Sequence, residues 1–274
     1  MTQPRAVESP LVRLLADVGV VVAAVTAVLY YFGWVRTRFQ ARALGFDVSA
    51  LSLTTTDYVL KSLNVLFLPL ILLLAVVLVG YQAHLRWVAP AIERLPERTV
   101  LGAARLLGLA WVPLAVVALI LLATPVAGYA MPVTLTASVL LARYGRSVRQ
   151  ARSDTDPWPM PTRVIAVILL ALAVFWCTER VARTTGEAFG RDFAADPGQL
   201  PAVVVFSAKD LRLAGPGVTR TVTLDPQAAY QFEYRGLYML ERSGDRYFFI
   251  TTAPGRVVVL TENDSLRMEF TARR

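Results

Sequence analysis

Apolar residues in this chain come in long blocks, unlike the short periodic runs of a water-soluble domain. Four blocks are almost free of charge: residues 18–34, 63–82, 106–142 and 164–177. A helix that crosses a bilayer needs roughly 17–25 such residues. The pattern therefore predicts an integral membrane protein, with a first span at 18–34, a second at 63–82 and a last at 164–178.

The block at 106–142 is too long for one span. As a single helix it would reach about 55 Å, whereas the hydrocarbon core is about 30 Å thick. Pro125, Gly128 and Pro132 fall in its middle and are typical of a turn. Dividing the block there predicts spans at 106–123 and 126–142, and hence a bundle of five transmembrane helices.

The arginines test this division, since basic residues are in excess on the cytoplasmic side of a membrane. With five spans, the segments flanking them carry eleven basic residues on one side and seven on the other. With four spans the count is nine against nine, which gives no orientation. We therefore expect a multi-pass protein of the cell (inner) membrane with a cytoplasmic N-terminus.

The pattern changes after residue 200, where short β-branched and aromatic runs alternate with Gly, Pro, Asp and Asn. Five or six strands, with a hairpin tip at Ser243, Gly244 and Asp245, predict a small antiparallel β-sandwich or barrel. The expected organisation is a transmembrane domain at 1–182, a linker at 183–200 and an extracytoplasmic β-domain at 201–274.

Net charge is +8, and nearly all of the 28 basic residues are arginines. They cluster beside the apolar blocks, as topology signals do. No basic run is interleaved with aromatic residues to form a stacking surface, so nucleic acid is not an expected partner.

The residues that carry most enzyme chemistry are scarce. One histidine and one cysteine, His84 and Cys177, exclude His-rich and Cys-based metal sites and a robust Ser-His-Asp triad. No Gly-rich phosphate-binding motif occurs, and the spans are essentially free of charged residues. We expect no cofactor, no metal and no enzymatic activity.

The connection between the first two spans is expected to be an ordered loop. Gly45 suits the position just after a helix, and Thr54 with Asp57 resembles a capping box that would start a helix near residue 55. Small residues recur every fourth position at Gly19, Ala23 and Ala27, and again at Ala104 and Gly108, where another helix could approach closely.

The same connection holds the best candidate site, in which charged and amide groups meet the membrane surface. Two interpretations stay open: an ion-paired, capped loop on the membrane, or a binding site for a lipid headgroup or an extracytoplasmic partner. The candidate residues are Arg36, Arg38, Arg42, Asp47, Asp57, Lys61 and Asn64.

The stretch at 30–64 resembles uncharacterised multi-pass integral membrane proteins of actinobacteria. The resemblance is carried by Phe32-Gly33, by Gly45-Phe46-Asp47 and by the run from Asp57-Tyr58 to Ser62. It implies a bacterial membrane protein and no particular activity.

The main functional hypothesis is a non-enzymatic inner-membrane protein that presents its β-domain for interaction or sensing. One alternative is a channel or transporter subunit with the β-domain as a cap, and another is a membrane enzyme acting on lipid-linked substrates. The expected partners are membrane lipids, another membrane or envelope protein, and a second copy of the chain in a homo-oligomer.

Overall fold

A computed structural model describes residues 10–121, 127–152, 159–225, 227–252 and 256–271. It consists of a helical N-terminal region followed by a small antiparallel β-sheet. Three of the described helical segments are long and apolar enough to cross a membrane: Asp17–Ala43, Thr55–Arg94 and Met160–Ala195. The predicted helical region and the change to strands after residue 200 are confirmed.

Helix α1 (Pro10–Ala43) continues well beyond the predicted span. Its 34 residues reach about 51 Å, more than the bilayer core requires. The helix ends in a Schellman motif: Gly45 has a φ of 81°, Gly45 N–H donates to Arg42 O at 3.0 Å, and Phe46 N–H donates to Ala41 O at 3.0 Å. The role expected of Gly45 is confirmed.

Helix α2 (Thr55–Ala83) begins where the capping box predicted. Thr54 N–H donates to the Asp57 carboxylate at 2.8 Å, and Asp57 N–H donates to Thr54 Oγ1 at 3.3 Å. One π-helical segment, His84–Val88, joins α2 to the short α3 (Ala89–Arg94). The hydrogen-bonded cap therefore fixes the start of a helical segment that runs on for 40 residues.

The span predicted at 106–123 is not one helix. Helix α4 (Glu97–Leu109) ends and α5 (Trp111–Leu121) begins around Ala110, whose N–H donates to Leu107 O at 3.2 Å. Pro113 explains the break, because it has no N–H to donate to the carbonyl of Leu109.

Helix α6 (Ala127–Arg152) packs against both α4 and α5. Gly145 lies against the backbone of Ala104 and Gly108, so the close approach expected of these two small residues is confirmed. Gly128 and Pro132, predicted in the turn, lie inside the first turns of α6 instead, where a proline removes a single helical hydrogen bond. Pro125, the third predicted turn residue, lies outside the described residues.

Helix α7 (Met160–Ala195) is 36 residues long, so most of the segment predicted as a linker at 183–200 forms its last turns. A short 3₁₀ turn, Pro197–Gln199, follows, with the Asp196 side chain accepting from Gly198 N–H. The chain passes from helix to sheet within a few residues of this turn.

The sheet has strands β1 (Ala202–Ser207), β2 (Thr219–Val222), β3 (Phe232–Ser243), β4 (Arg246–Thr251), β5 (Val257–Thr261) and β6 (Leu266–Thr271). Their order is β5-β4-β3-β1-β6, all antiparallel, and β2 also pairs with β3. The β3–β4 hairpin turns at Gly244, as predicted.

The predicted sandwich or barrel is a single open sheet in the described part of the chain, with no closed barrel. One face carries a core of Val203, Val205, Tyr234, Leu237 and Phe249. Phe248 and Ile250 of β4 are also buried although they point to the opposite face. That face is covered in part by a loop of the helical region, which takes the place of a second sheet.

The chain divides into two compact units. One unit combines Met1–Leu63 with Ala182–Arg274, so it contains α1, the start of α2, the end of α7 and the sheet. The other is Asn64–Val181, which contains the rest of α2, helices α3 to α6 and the start of α7.

Candidate functional site

The sheet is joined to the helix ends by an ion pair inside the first unit. Lys61 Nζ on α2 lies 2.5 Å from Glu241 Oε2 on β3, and the two side chains are only 19% and 26% exposed. A partly buried pair of this kind is far less screened by water than a surface pair. Lys61 is one of the predicted site residues, but its partner Glu241, which lies 180 residues away in the chain, is not.

An aromatic contact lies beside this pair. Phe46, which follows the Schellman turn, stacks on the buried Phe248 of β4 with ring centroids 5.8 Å apart. A cavity of about 10 Å³ lies between the two contacts and is lined by Gln40, Lys61 and Glu241 among others. It has room for about one water molecule, so the junction is closely packed.

Arg36 is the most buried of the predicted site residues. Its guanidinium stacks over the ring of Phe189 on α7 at 4.8 Å, and its Nη1 donates to Lys61 O at 3.4 Å. Its Nε is buried with no hydrogen-bond partner in the described residues. Since a buried, incompletely bonded charge is costly, neighbouring charges such as the Glu241 carboxylate matter to its stability.

Close packing of α7 on α1 positions these side chains. Gly186 and Gly190 are four residues apart, and a Cβ on either would overlap the α1 backbone at Arg36 and Gln40. On the other side of α1, a Cβ on Gly33 would overlap the carbonyl oxygen of Tyr58 on α2. The sequence "GEAFG" at 186–190 is a small-xxx-small signal for this contact, and the sequence analysis did not use it.

Arg38 and Arg42 lie on a more open side of α1. The Arg38 guanidinium stacks over Trp34 at 5.0 Å, and that of Arg42 stacks over Phe39 at 5.5 Å. Neither arginine forms an ion pair within the described ranges. Stacking uses the flat face of the guanidinium and leaves the N–H groups at its edge available to an anion.

The two aspartates of the predicted site act as caps. Asp47 accepts a hydrogen bond from Ser49 N–H at 2.8 Å, and this bond above all lowers the pKa of Asp47, with smaller effects from the nearby charges of Arg38 and Arg42. Asp57 is used by the capping box with Thr54. Both carboxylates thus have structural roles that hold the loop in place.

Asn64 is exposed and belongs to the second unit, so it is not part of this cluster. His84, also in the second unit, shares a 2.7 Å hydrogen bond with the Tyr144 hydroxyl. Among the described residues, no group of three or more His, Cys, Asp or Glu side chains could hold a metal ion.

A second polar cluster lies within the sheet. The hydroxyl of the fully buried Tyr234 donates to Asp210 at 2.6 Å and accepts from Leu211 N–H at 2.9 Å, while Arg220 pairs with the same carboxylate at 2.6 Å. The hydrogen bond from Tyr234 is the main reason that the pKa of Asp210 is lowered. Burial raises the pKa of Tyr234, so its proton stays on the hydroxyl.

No family model, curated protein or solved structure matches this chain.

Proposed function

We propose that this chain is a multi-pass, non-enzymatic membrane protein in which the β-sheet is a docked interaction or sensing domain. The observation that carries this proposal is the junction of Lys61 with Glu241 and of Phe46 with Phe248. A sheet fixed in this way cannot swing freely on a tether. A ligand or partner that shifts the sheet would therefore also shift the ends of α1 and α2.

Three helix ends lie in the same unit of the chain, and this arrangement supports an odd number of spans. The C-terminal end of α1, the N-terminal end of α2 and the C-terminal end of α7 all lie in the unit that contains the sheet. If each of these helices crosses once, the segment between α2 and α7 crosses an even number of times. Two crossings, one by α4 and α5 and one by α6, would give five spans, and the arginine excess then favours a sheet outside the cytoplasm.

Cysteine labelling in intact cells tests this topology. The background is Cys177→Ala, which removes the free cysteine, and new cysteines are introduced singly as Asp264→Cys and Thr124→Cys. Five spans predict that a membrane-impermeant maleimide labels both variants. Labelling of Asp264→Cys without Thr124→Cys would favour three spans, and protection of Asp264→Cys would overturn the extracytoplasmic placement of the sheet. Ser153→Cys is the cytoplasmic control.

Reconstitution in planar bilayers distinguishes a non-conducting protein from a channel subunit. We expect no reproducible current, because the three described helices long enough to cross a membrane are strongly apolar. If the unmodified protein gave currents that Asp57→Asn or Asn64→Ala abolished, the proposal of a non-conducting protein would be overturned.

We also propose that Arg38 and Arg42 bind the phosphate of an anionic phospholipid. Trp34 marks the membrane interface, and at 1.5 Å per residue Arg38 lies about 6 Å further along α1, within the headgroup layer. The edges of the stacked guanidinium groups provide the planar donors that suit a phosphate. This site uses part of the predicted set, while Arg36 and Lys61 are occupied at the sheet junction.

A further inference from the structure

Strand β6 is an edge of the sheet, and no other strand of the described residues pairs with its outer side. Its inner side pairs with β1, and at the end of this ladder Ala208 N–H donates to Ser265 O at 3.0 Å. Hydrogen-bonded pairs alternate along an antiparallel ladder, so Arg267 and Glu269 also bond to β1. The N–H and C=O groups of Met268 and Phe270 consequently face the open edge.

The side chains of β6 are sorted between its two faces. Leu266 and Met268 pack against the core of the sheet, and Phe270 follows them on the same face but is 53% exposed. On the other face, Arg267 and Glu269 form an ion pair at 2.6 Å with side chains 61% and 47% exposed. An exposed phenylalanine on the core face of an edge strand is a site at which another strand would bury apolar surface.

The sequence of β6 is complementary to itself when two copies run antiparallel. With Met268 opposite Met268 of the second copy, Leu266 faces Phe270, and Arg267 faces Glu269. A shift of the two-fold axis by one residue brings two arginines or two glutamates face to face. Like charges directly opposite are destabilising, so the charges disfavour both of these one-residue shifts from the register centred on Met268.

The outward-facing backbone N–H and C=O groups of β6 also fit the register centred on Met268. The residues that would form hydrogen-bonded pairs across the axis include Met268 and Phe270, whose N–H and C=O groups face outward. Arg267 and Glu269 would then form the non-hydrogen-bonded pairs, in which side chains lie closest. By contrast, the opposite edge strand, β5, has no charged residue between Val257 and Thr261 that could select a register.

The geometry points to a homodimer of this chain formed by antiparallel pairing of β6 with β6 of a second copy. The interface extends the sheet across the two-fold axis, covers Phe270 and holds two Arg267–Glu269 pairs between the copies. A six-residue strand is a short interface. Confinement of both copies to one membrane provides the effective concentration that such an interface needs. This inference does not depend on the side of the membrane on which the sheet lies.

Charge reversal tests the register. Arg267→Glu and Glu269→Arg, each alone, place like charges opposite one another, and we expect the dimer to dissociate roughly tenfold or more readily. The double variant Arg267→Glu/Glu269→Arg restores both pairs and should restore dimerisation. The measurement is the dimer fraction of the full chain by single-molecule photobleaching in lipid nanodiscs over a range of protein-to-lipid ratios.

Cross-linking tests the two-fold axis independently. In the Cys177→Ala background, Met268→Cys should form a disulfide between two copies under mild oxidation, since facing Cα atoms in this pair lie about 5.5 Å apart. Thr221→Cys, exposed on β2, should remain monomeric. Hydrogen–deuterium exchange protection of the β3 and β4 backbone in each variant establishes that the sheet is folded.

Each outcome of these experiments either supports or overturns the β6–β6 dimer. A disulfide-linked dimer of Met268→Cys together with rescue by the double charge reversal supports the proposal. A dimer fraction unchanged by the single reversals, a monomer at all ratios, or cross-linking of Met268→Cys to a different protein overturns it. The last outcome would assign the β6 edge to an extended segment of another protein.

Discussion

Lys61 and Glu241 form a 2.5 Å ion pair between the first turns of α2 and the C-terminal part of the longest strand. The two residues are 180 positions apart in the sequence, so the contact exists only when the helical region and the sheet have folded together. Because the pair is mostly shielded from water, each charge depends on the other for its stability. Its loss would affect the coupling between sheet and helices before it affected either part alone.

Glu241→Gln should lower the free energy of unfolding by about 1–3 kcal/mol, since it leaves Lys61 partly buried without its counter-charge. It should also increase hydrogen exchange in the loop at 44–54, which packs against the same junction. Thermal unfolding in detergent and hydrogen–deuterium exchange measure these effects. Glu262→Gln is the control, because Glu262 pairs with Arg242 on an exposed surface and its loss should cost less than about 1 kcal/mol. Equal effects of both variants would contradict the role of the junction.

Gly186→Ala and Gly190→Ala should each destabilise the protein by about 1–3 kcal/mol, because the added methyl group forces α7 away from α1. The unfolding temperature in detergent reports this loss. Gly102→Ala provides a matched control on α4, where an added Cβ meets nothing within 4 Å. That substitution should be neutral or stabilising by up to about 1 kcal/mol, since alanine favours a helix. Tolerance of alanine at both 186 and 190 would contradict the close helix contact.

Arg38→Gln combined with Arg42→Gln should weaken retention of phosphatidylglycerol by about tenfold, because two charge-assisted contacts to the phosphate are removed. Native mass spectrometry of the protein released from mixed phosphatidylglycerol and phosphatidylcholine nanodiscs measures this retention. Arg38→Lys keeps the charge but loses the planar fork and should show an intermediate effect. The exposed Arg235 of β3, changed to Gln, is the control. If inorganic phosphate competes as well as the lipid does, the site binds free phosphate and not a headgroup.

The Tyr234–Asp210 hydrogen bond should make the stability of the sheet depend on acid pH. The pKa of Asp210 is lower in the folded state, so its contribution is complete above the unfolded value near 4 and is lost as pH falls through the folded pKa. Asp210→Asn should therefore reduce the loss of stability between about pH 5 and pH 3. Thermal unfolding across this range is the measurement, with Asp264→Asn in an exposed turn as the control. An unchanged pH dependence in Asp210→Asn would contradict the assignment.

Tyr234→Phe tests the same bond from the donor side. The variant keeps the buried ring but removes the hydroxyl that bonds both Asp210 and Leu211 N–H. We expect a loss of about 1–3 kcal/mol, because Leu211 N–H then lacks its partner. A fully neutral substitution would show that water replaces the hydroxyl.

Local signals predicted much of the fold because each of them acts within a few residues. Gly45 ends α1 by adopting a positive φ, and the Thr54–Asp57 capping box starts α2. The change of period after residue 200 predicted five or six strands, of which the structure has six, and Gly244 marked a hairpin tip. In each case the residues that carry the signal also form the structure.

Contacts between residues far apart in the sequence could not be predicted from such local signals. Nothing near Lys61 in the sequence indicates Glu241, and nothing near Phe46 indicates Phe248. The expected sandwich was wrong because the second face of the sheet packs on a loop between helices, which strand periodicity cannot distinguish from a second sheet. The break at Ala110 was missed because Pro113 lies in an otherwise continuous apolar run. Gly186 and Gly190 carried a readable signal that was overlooked inside a segment assigned to a linker.

The ion pair also imposes an order on biosynthesis. Lys61 leaves the ribosome long before Glu241, and the rest of α2 and helices α3 to α7 are made in the interval. Until β3 is made, Lys61 and the buried Arg36 remain at the helix ends without the carboxylate that later faces them. The junction can therefore form only after synthesis has reached the sheet.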